Sequence, residues 1–140
     1  MLTRRKFGLG TLGLAGASVT APFVHGAAAQ TKSVRIGMIQ PMSGSYAAYA
    51  QEGQPAFQYV IDKINAAGGV KSLGGARIEV LLADDTSQPA RTAAEARRLI
   101  TEEKVALITG TILSGQMLAL TPVLDELSIP ALSIWAGGSR

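Results

Sequence analysis

The sequence predicts an α/β fold, a parallel sheet with helices on both faces. Three observations predict it. From residue 34 onward, short β-branched runs alternate with longer segments of helical apolar period. The helical segments are long enough to be right-handed crossovers between parallel strands. No internal repeat or low-complexity linker interrupts the alternation.

Residues 1–29 stand apart from this pattern. They contain no acid, and Arg4, Arg5 and Lys6 carry the whole formal net charge of +3. From Gln30 onward ten bases balance ten acids, so the basic balance belongs to a leader and not to a nucleic-acid surface. Thr3-Arg4-Arg5-Lys6-Phe7 opens it, a glycine-interrupted apolar stretch fills 8–24, and Ala27-Ala28-Ala29 offers small residues for a peptidase. This three-part layout resembles a bacterial twin-arginine export signal, cleaved near Gln30. The apolar stretch is short for a bilayer of roughly 30 Å at about 1.5 Å per residue. Leu14-Ala15-Gly16-Ala17 resembles a lipobox with alanine where the lipidated cysteine would stand. The mature protein is therefore expected free in the periplasm, without a lipid anchor. Gly8-Leu9-Gly10-Thr11-Leu12-Gly13 spells a dinucleotide fingerprint, but it lacks the preceding strand that would aim its amides at a pyrophosphate.

Residues 34–39 form the first strand, which stops at Pro41. Residues 48–66 form the first helix, with Phe57, Val60, Ile61 and Ile64 on one face and Gly68-Gly69 at its end. Pro55 breaks that pattern, so the helix either kinks there or becomes regular near Gln54. The second strand covers 77–83. The second helix runs from Pro89 to about Glu103, with Ala93, Ala96 and Ile100 inward and Glu95 between Arg91 and Arg98 outward. The third strand covers 105–109. Ser114 stands as N-cap to a third helix of about 115–127, whose core stripe is Met117, Leu120, Leu124 and Leu127. The fourth strand covers 130–134. The sequence reads as the first half or more of one lobe, incomplete at the C-terminus.

An open parallel sheet binds ligands beyond the carboxyl ends of its strands, where strand order reverses. For the order 2-1-3-4 that point lies between the first and third strands. The loops around it, 40–49, 110–115 and 135–139, are rich in Ser, Gly and aromatics and contain no acid. Ser114 and the amides of Gly115 and Gln116 form a helix start suited to a carboxylate. Tyr46, Tyr49 and Trp135 offer flat walls. Asp84-Asp85 ends the second strand away from this point, and loop and helix-start capping accounts for it better than catalysis or metal binding. The only histidine is His25, in the leader, and there is no cysteine. Triad catalysis and the common zinc sites therefore have no residues here, and no enzyme activity, cofactor or metal is expected.

Taken together, Ile36-Gly37, Pro41-Met42-Ser43-Gly44, Tyr49, the run Ile64-Asn65-Ala66-Ala67-Gly68-Gly69-Val70, Asp84-Asp85 with Pro89, and Gly110 with Ser114-Gly115 resemble one family. They are similar to the amino-terminal lobe of type I periplasmic binding proteins, of the branched-chain amino acid (Leu/Ile/Val) type that serves ABC importers. The resemblance implies a two-lobe, Rossmann-like protein, with 30–140 a partial N-terminal lobe and ligand clamped between the lobes. It implies that Ser114 and Gly115 hold the ligand carboxylate, that Tyr49 packs on the ligand side chain, and that Trp135, Ala136 and Gly137 supply further contacts. It also implies a monomer, a small-molecule ligand, an inner-membrane ABC permease as partner, and no nucleic acid. The segment 133–137 departs from the family's usual proline and Ala-Thr, and the missing threonine hydroxyl opens the ligand to aromatic carboxylates and amides. The alternative is the ligand-sensing domain of a receptor or amide-responsive regulator with the same fold.

Overall fold

The computed structural model describes residues 33–133. The leader at 1–29 and Trp135, Ala136 and Gly137 lie outside the described residues. In chain order the elements are β1 (Ser33–Gln40), α1 (Ala47–Ala66), a 3₁₀ turn (Lys71–Leu73), β2 (Arg77–Asp84), α2 (Pro89–Thr101), β3 (Leu107–Thr109), α3 (Ser114–Leu127) and β4 (Ala131–Leu132). The sheet is parallel, as the alternation of strands and helices predicts, and its order is β2-β1-β3-β4, the one taken above to place the switch point. β1 pairs with β2 from Ser33 opposite Arg77 to Gln40 opposite Asp84, and with β3 from Ile36 opposite Leu107.

The alternation of side chains along β1 sorts the layers. Ile39 points into a core with Leu99, Ile100, Ile108, Leu120 and Leu124, so α2 and α3 cover this face together. Met38 and Gln40 point the other way, toward α1. Gly37 lies on the α2 side, where a Cβ would come within 2.7 Å of Ile108 Cδ1 and 3.1 Å of Leu99 Cδ1. Its missing side chain is what lets α2 sit close to the central strand. The inward residues expected on α2 are buried or nearly so, and Leu99 and Thr92 join them. Glu95 pairs with Arg98 at 2.9 Å and Arg91 at 3.9 Å, as its spacing predicts.

Asn65 explains part of the Ile64–Val70 motif. Its side-chain amide donates to the Ile78 carbonyl at 2.9 Å and its oxygen accepts from the Ile78 amide at 2.7 Å. The end of α1 is thereby stitched to the backbone of edge strand β2, satisfying groups an edge otherwise leaves open.

Four expectations are corrected. α1 runs unbroken from Ala47 through Pro55; Pro55 sits on the exposed side, where water can take the Gln51 carbonyl that the missing N–H leaves without its helical donor. Val60 is 51% exposed, because the apolar stripe of α1 is wider than its contact with the sheet. β3 begins at Leu107, because Lys104 turns the chain at φ 57° and Val105 is buried against the core before regular pairing starts. α3 begins at Ser114, with Leu113 at the N-cap position.

Gly37→Val is expected to lower stability by about 1–3 kcal/mol, the usual cost of overpacking a filled core. Gly53→Ala, on an open face of α1 with nothing within 4 Å of the added carbon, is expected to raise it by about 0.5–1 kcal/mol. Urea denaturation midpoints of the two variants check both signs.

Candidate functional site

The switch point falls between β1 and β3, and three loops meet at the carboxyl ends of the strands. Residues 41–46 lead from β1 to α1, residues 85–88 from β2 to α2, and residues 110–113 from β3 to α3. Two glycines permit the close approach. Gly44, at φ 85°, sits where a Cβ would come within 2.6 Å of the Thr86 carbonyl oxygen. Gly110, at φ 97°, leaves only 2.9 Å to the Ile39 carbonyl oxygen. Both positions favour glycine on backbone angle as well as space.

The β2–α2 loop holds the other two. Asp84 accepts from the Ser43 hydroxyl at 2.6 Å, the Ser43 amide at 3.2 Å and the Thr86 amide at 2.8 Å. The Ser87 hydroxyl donates to the Ser43 carbonyl at 3.0 Å and accepts from the Tyr46 amide at 3.1 Å. Asp85 is fully buried. One of its oxygens accepts from the Ser87 amide at 2.9 Å, and the other from the Thr92 hydroxyl at 2.9 Å and the Gln116 side-chain amide. The expected loop capping is therefore present, but helix-start capping is not: Gln88 occupies the N-cap of α2 without a side-chain bond. Instead the second aspartate reaches α3.

The two carboxylates titrate in opposite directions. Burial pulls Asp84 upward, but the Ser43 hydroxyl and the Thr86, Ser43 and Met42 amides outweigh it and hold its pKa below the ordinary value. Burial pushes Asp85 up; the Thr92 and Ser87 bonds only partly offset that, and the charge of Asp84 adds to it. Among the described residues no group of three His, Cys, Asp or Glu is placed to hold a metal ion.

Ser114 is the first residue of α3, not its N-cap. The helix start is fixed by the Gln116 side chain, whose oxygen accepts from the Leu113 amide at 3.2 Å. The first full helical bond runs from the Met117 amide to the Leu113 carbonyl at 3.2 Å, and the amides of Ser114 and Gly115 precede it. The Gln116 amide, expected to face the crevice, instead bonds the Leu113 carbonyl at 3.1 Å. Gly115 lies beside the start of α2, its Cβ position 3.7 Å from Pro89 Cγ. Ser133 donates to the Thr111 carbonyl at 3.4 Å, so the chain leaves β4 next to the β3–α3 loop.

Tyr46 and Tyr49 stand together, ring centroids 6.3 Å apart and tilted by 37°. With Gln40, Phe57, Ile112 and Leu113 they line an apolar groove of about 600 Å³ between α1 and the sheet. The structure thus divides the predicted site residues. The tyrosines open on the α1 side, and Gly115 lies toward α2. Sequence reasoning missed what the side chains of Gln116, Thr92, Ser43 and Ser87 bond to. Gln116 left a signal: four residues before Leu120 it falls on the buried stripe of α3, and a polar group there needs a partner.

Comparison with known proteins places this geometry. Residues 33–140 match the family model described as periplasmic binding protein. The chain belongs to that family, whose members work outside the cytoplasm. The Leu/Ile/Val-binding protein homolog 7 of Brucella suis is 34% identical over 116 residues, covering 83% of this chain and 28% of that protein. The crystal structure of the branched-chain amino acid transporter substrate-binding protein LivJ from Streptococcus pneumoniae, in complex with isoleucine, is similar at a TM-score of 0.71 and 34% identity, covering 77% of this chain and 30% of that one. A solute-binding protein of an ABC transporter from Rhodopseudomonas palustris, in complex with 3,4-dihydroxybenzoic acid, is similar at 0.67 and 30%, covering 75% and 28%. The chain spans less than a third of the length of each of these three proteins.

Asp84→Asn is expected to lose stability at neutral pH. A carboxylate whose folded pKa is depressed contributes stability above its unfolded pKa of about 4 and loses it as pH falls through the folded value. The gap between the variant and the unmodified protein should therefore narrow from pH 7 toward pH 3; the Asp84 charge is the smallest of the causes acting on Asp85, so its loss offsets only part of the gap. Denaturation midpoints at the two pH values check it; a gap that does not change with pH contradicts it.

Proposed function

We propose that this chain is the ligand-facing part of an extracytoplasmic solute-binding component of an ABC importer, which closes on a small carboxylate between this lobe and a second one. The observation that carries the reading is that Leu113, the residue just before α3, lines one groove with Tyr46 and Tyr49 at the switch point of a parallel sheet. Similar lobes belong to proteins crystallised with isoleucine and with 3,4-dihydroxybenzoic acid. In this reading the Ser114 hydroxyl and the amide at Gly115 receive the carboxylate, with the positive end of α3 behind them. Tyr49 packs against the body of the ligand. Trp135, with Ala136 and Gly137, supplies further contacts, and its indole selects flat ligands over branched ones. The protein acts by binding, with no catalytic step, as a monomer that delivers its ligand to a permease in the inner membrane. The twin-arginine-like leader brings it to the periplasm, where it works without a lipid anchor.

A thermal-shift and calorimetry panel tests this on the protein that carries the segment, using isoleucine, leucine, 3,4-dihydroxybenzoate and small amides. Ser114→Ala is expected to weaken carboxylate binding roughly tenfold to a hundredfold, since a charge-assisted hydrogen bond is worth about 1.5–3 kcal/mol. Trp135→Ala is expected to hurt the aromatic acid more than the aliphatic ones, because stacking adds about 0.5–1.5 kcal/mol beyond burial. Unchanged carboxylate affinity in Ser114→Ala contradicts the site. Aliphatic acids giving the largest shifts, with a ranking that Trp135→Ala leaves intact, contradict the preference for flat ligands.

A further inference from the structure

We infer that Gln116 is a positioning residue for carboxylate recognition: bridging the Leu113 amide and the buried Asp85 carboxylate, it locks the first turn of α3 in the orientation that presents Ser114 and Gly115 to the ligand. This rests on the proposed carboxylate site at that turn.

Donors and acceptors at this turn leave little choice of side chain. The Leu113 amide can only donate and an ionised Asp85 can only accept. One side chain that satisfies both must offer an acceptor and a donor a short distance apart, which is a carboxamide. Glutamine at 116 does this, its oxygen toward Leu113 at 3.2 Å and its nitrogen toward Asp85, and it is fully buried while doing so. Glutamate there would set an acceptor against an acceptor. An apolar residue would leave the Leu113 amide without this acceptor and remove one of the three donors that sustain Asp85.

A hydrophobic contact would pack the same two elements without burying a charge, and burial does push the Asp85 carboxyl upward. What the polar bridge adds is direction. It fixes Leu113, the residue just before Ser114, relative to a loop that is itself fastened to Ser43 and Tyr46. An anion site built from a hydroxyl and helix-start amides depends on the angle of that turn, so its affinity should follow Gln116 although Gln116 does not touch the ligand.

The test is a double-mutant cycle on the protein carrying this segment, titrated calorimetrically with L-isoleucine and with 3,4-dihydroxybenzoate. Gln116→Met keeps the length of the side chain and removes both bonds; it is expected to weaken the acid that binds roughly tenfold. In a Ser114→Ala background the same change should cost clearly less, because both act on one contact. Gly37→Val overpacks the core against Ile108 and Leu99 and touches neither Asp85 nor the start of α3. It is expected to lower Tm and leave affinity within about twofold, the control for loss of stability alone. Should Gln116→Met fail to fold, Gln116→Leu, which also removes both bonds and adds no second buried charge, replaces it with the same expectation. If Ser114→Ala weakens the acid while the Gln116 change is silent, or strictly additive with it, the positioning role is overturned and the carboxylate site stands. If Ser114→Ala leaves affinity unchanged, or neither acid binds, the carboxylate site falls and this role falls with it.

Discussion

Two adjacent carboxylates at the end of β2 hold together the loops at the carboxyl ends of the strands. Asp84 gathers the β1–α1 loop through Ser43, and Asp85 gathers the start of α3 through Gln116. Ser87, two residues on, bonds the same loop at the Tyr46 amide and the Ser43 carbonyl. Asp85 is the costlier arrangement, since a buried charge is unfavourable unless hydrogen bonds surround it. It accepts from a backbone amide, a hydroxyl and a side-chain amide. The result is one polar junction from which the tyrosine-bearing loop and the helix start both depart.

The sheet sets where that junction sits. Because β1 pairs with β2 on one side and β3 on the other, the connections after β1 and β3 diverge and leave a crevice at their carboxyl ends. α2 and α3 anchor one face through a shared core, and Gly37 lets α2 approach the central strand closely. On the other face α1 is held at its end by Asn65 and leaves a groove beside Tyr46 and Tyr49. A lobe built this way is firm at the α3 start and open beside α1.

Much of the fold was legible in the sequence because β-branched runs and helical stripes report local periodicity directly. The parallel sheet, both helix-covered faces and the Glu95 ion pairs followed from that pattern and its spacing, whereas the strand order is not written in any local period. Pro55 misled because propensity describes an average helix, whereas one exposed carbonyl can turn to water. Val60 misled because a stripe shows which face is apolar but not how much of it the sheet covers. The site was legible only as loops. Ser114 was assigned the cap because serine favours that place, but the bond belongs to Gln116, three residues beyond Leu113, and its other partner lies thirty-one residues away. Such a contact leaves no local period, only a polar residue on a buried stripe.

The most direct measurement is a crystal structure of the protein carrying this segment with its acid ligand bound. The account predicts a ligand carboxylate oxygen at about 3 Å from the Ser114 hydroxyl and the Gly115 amide. Beneath that contact, the Gln116 bridge from Leu113 to Asp85 should be intact. A ligand seated in the groove beside Gln40 and Phe57, with its carboxylate away from α3, would contradict it.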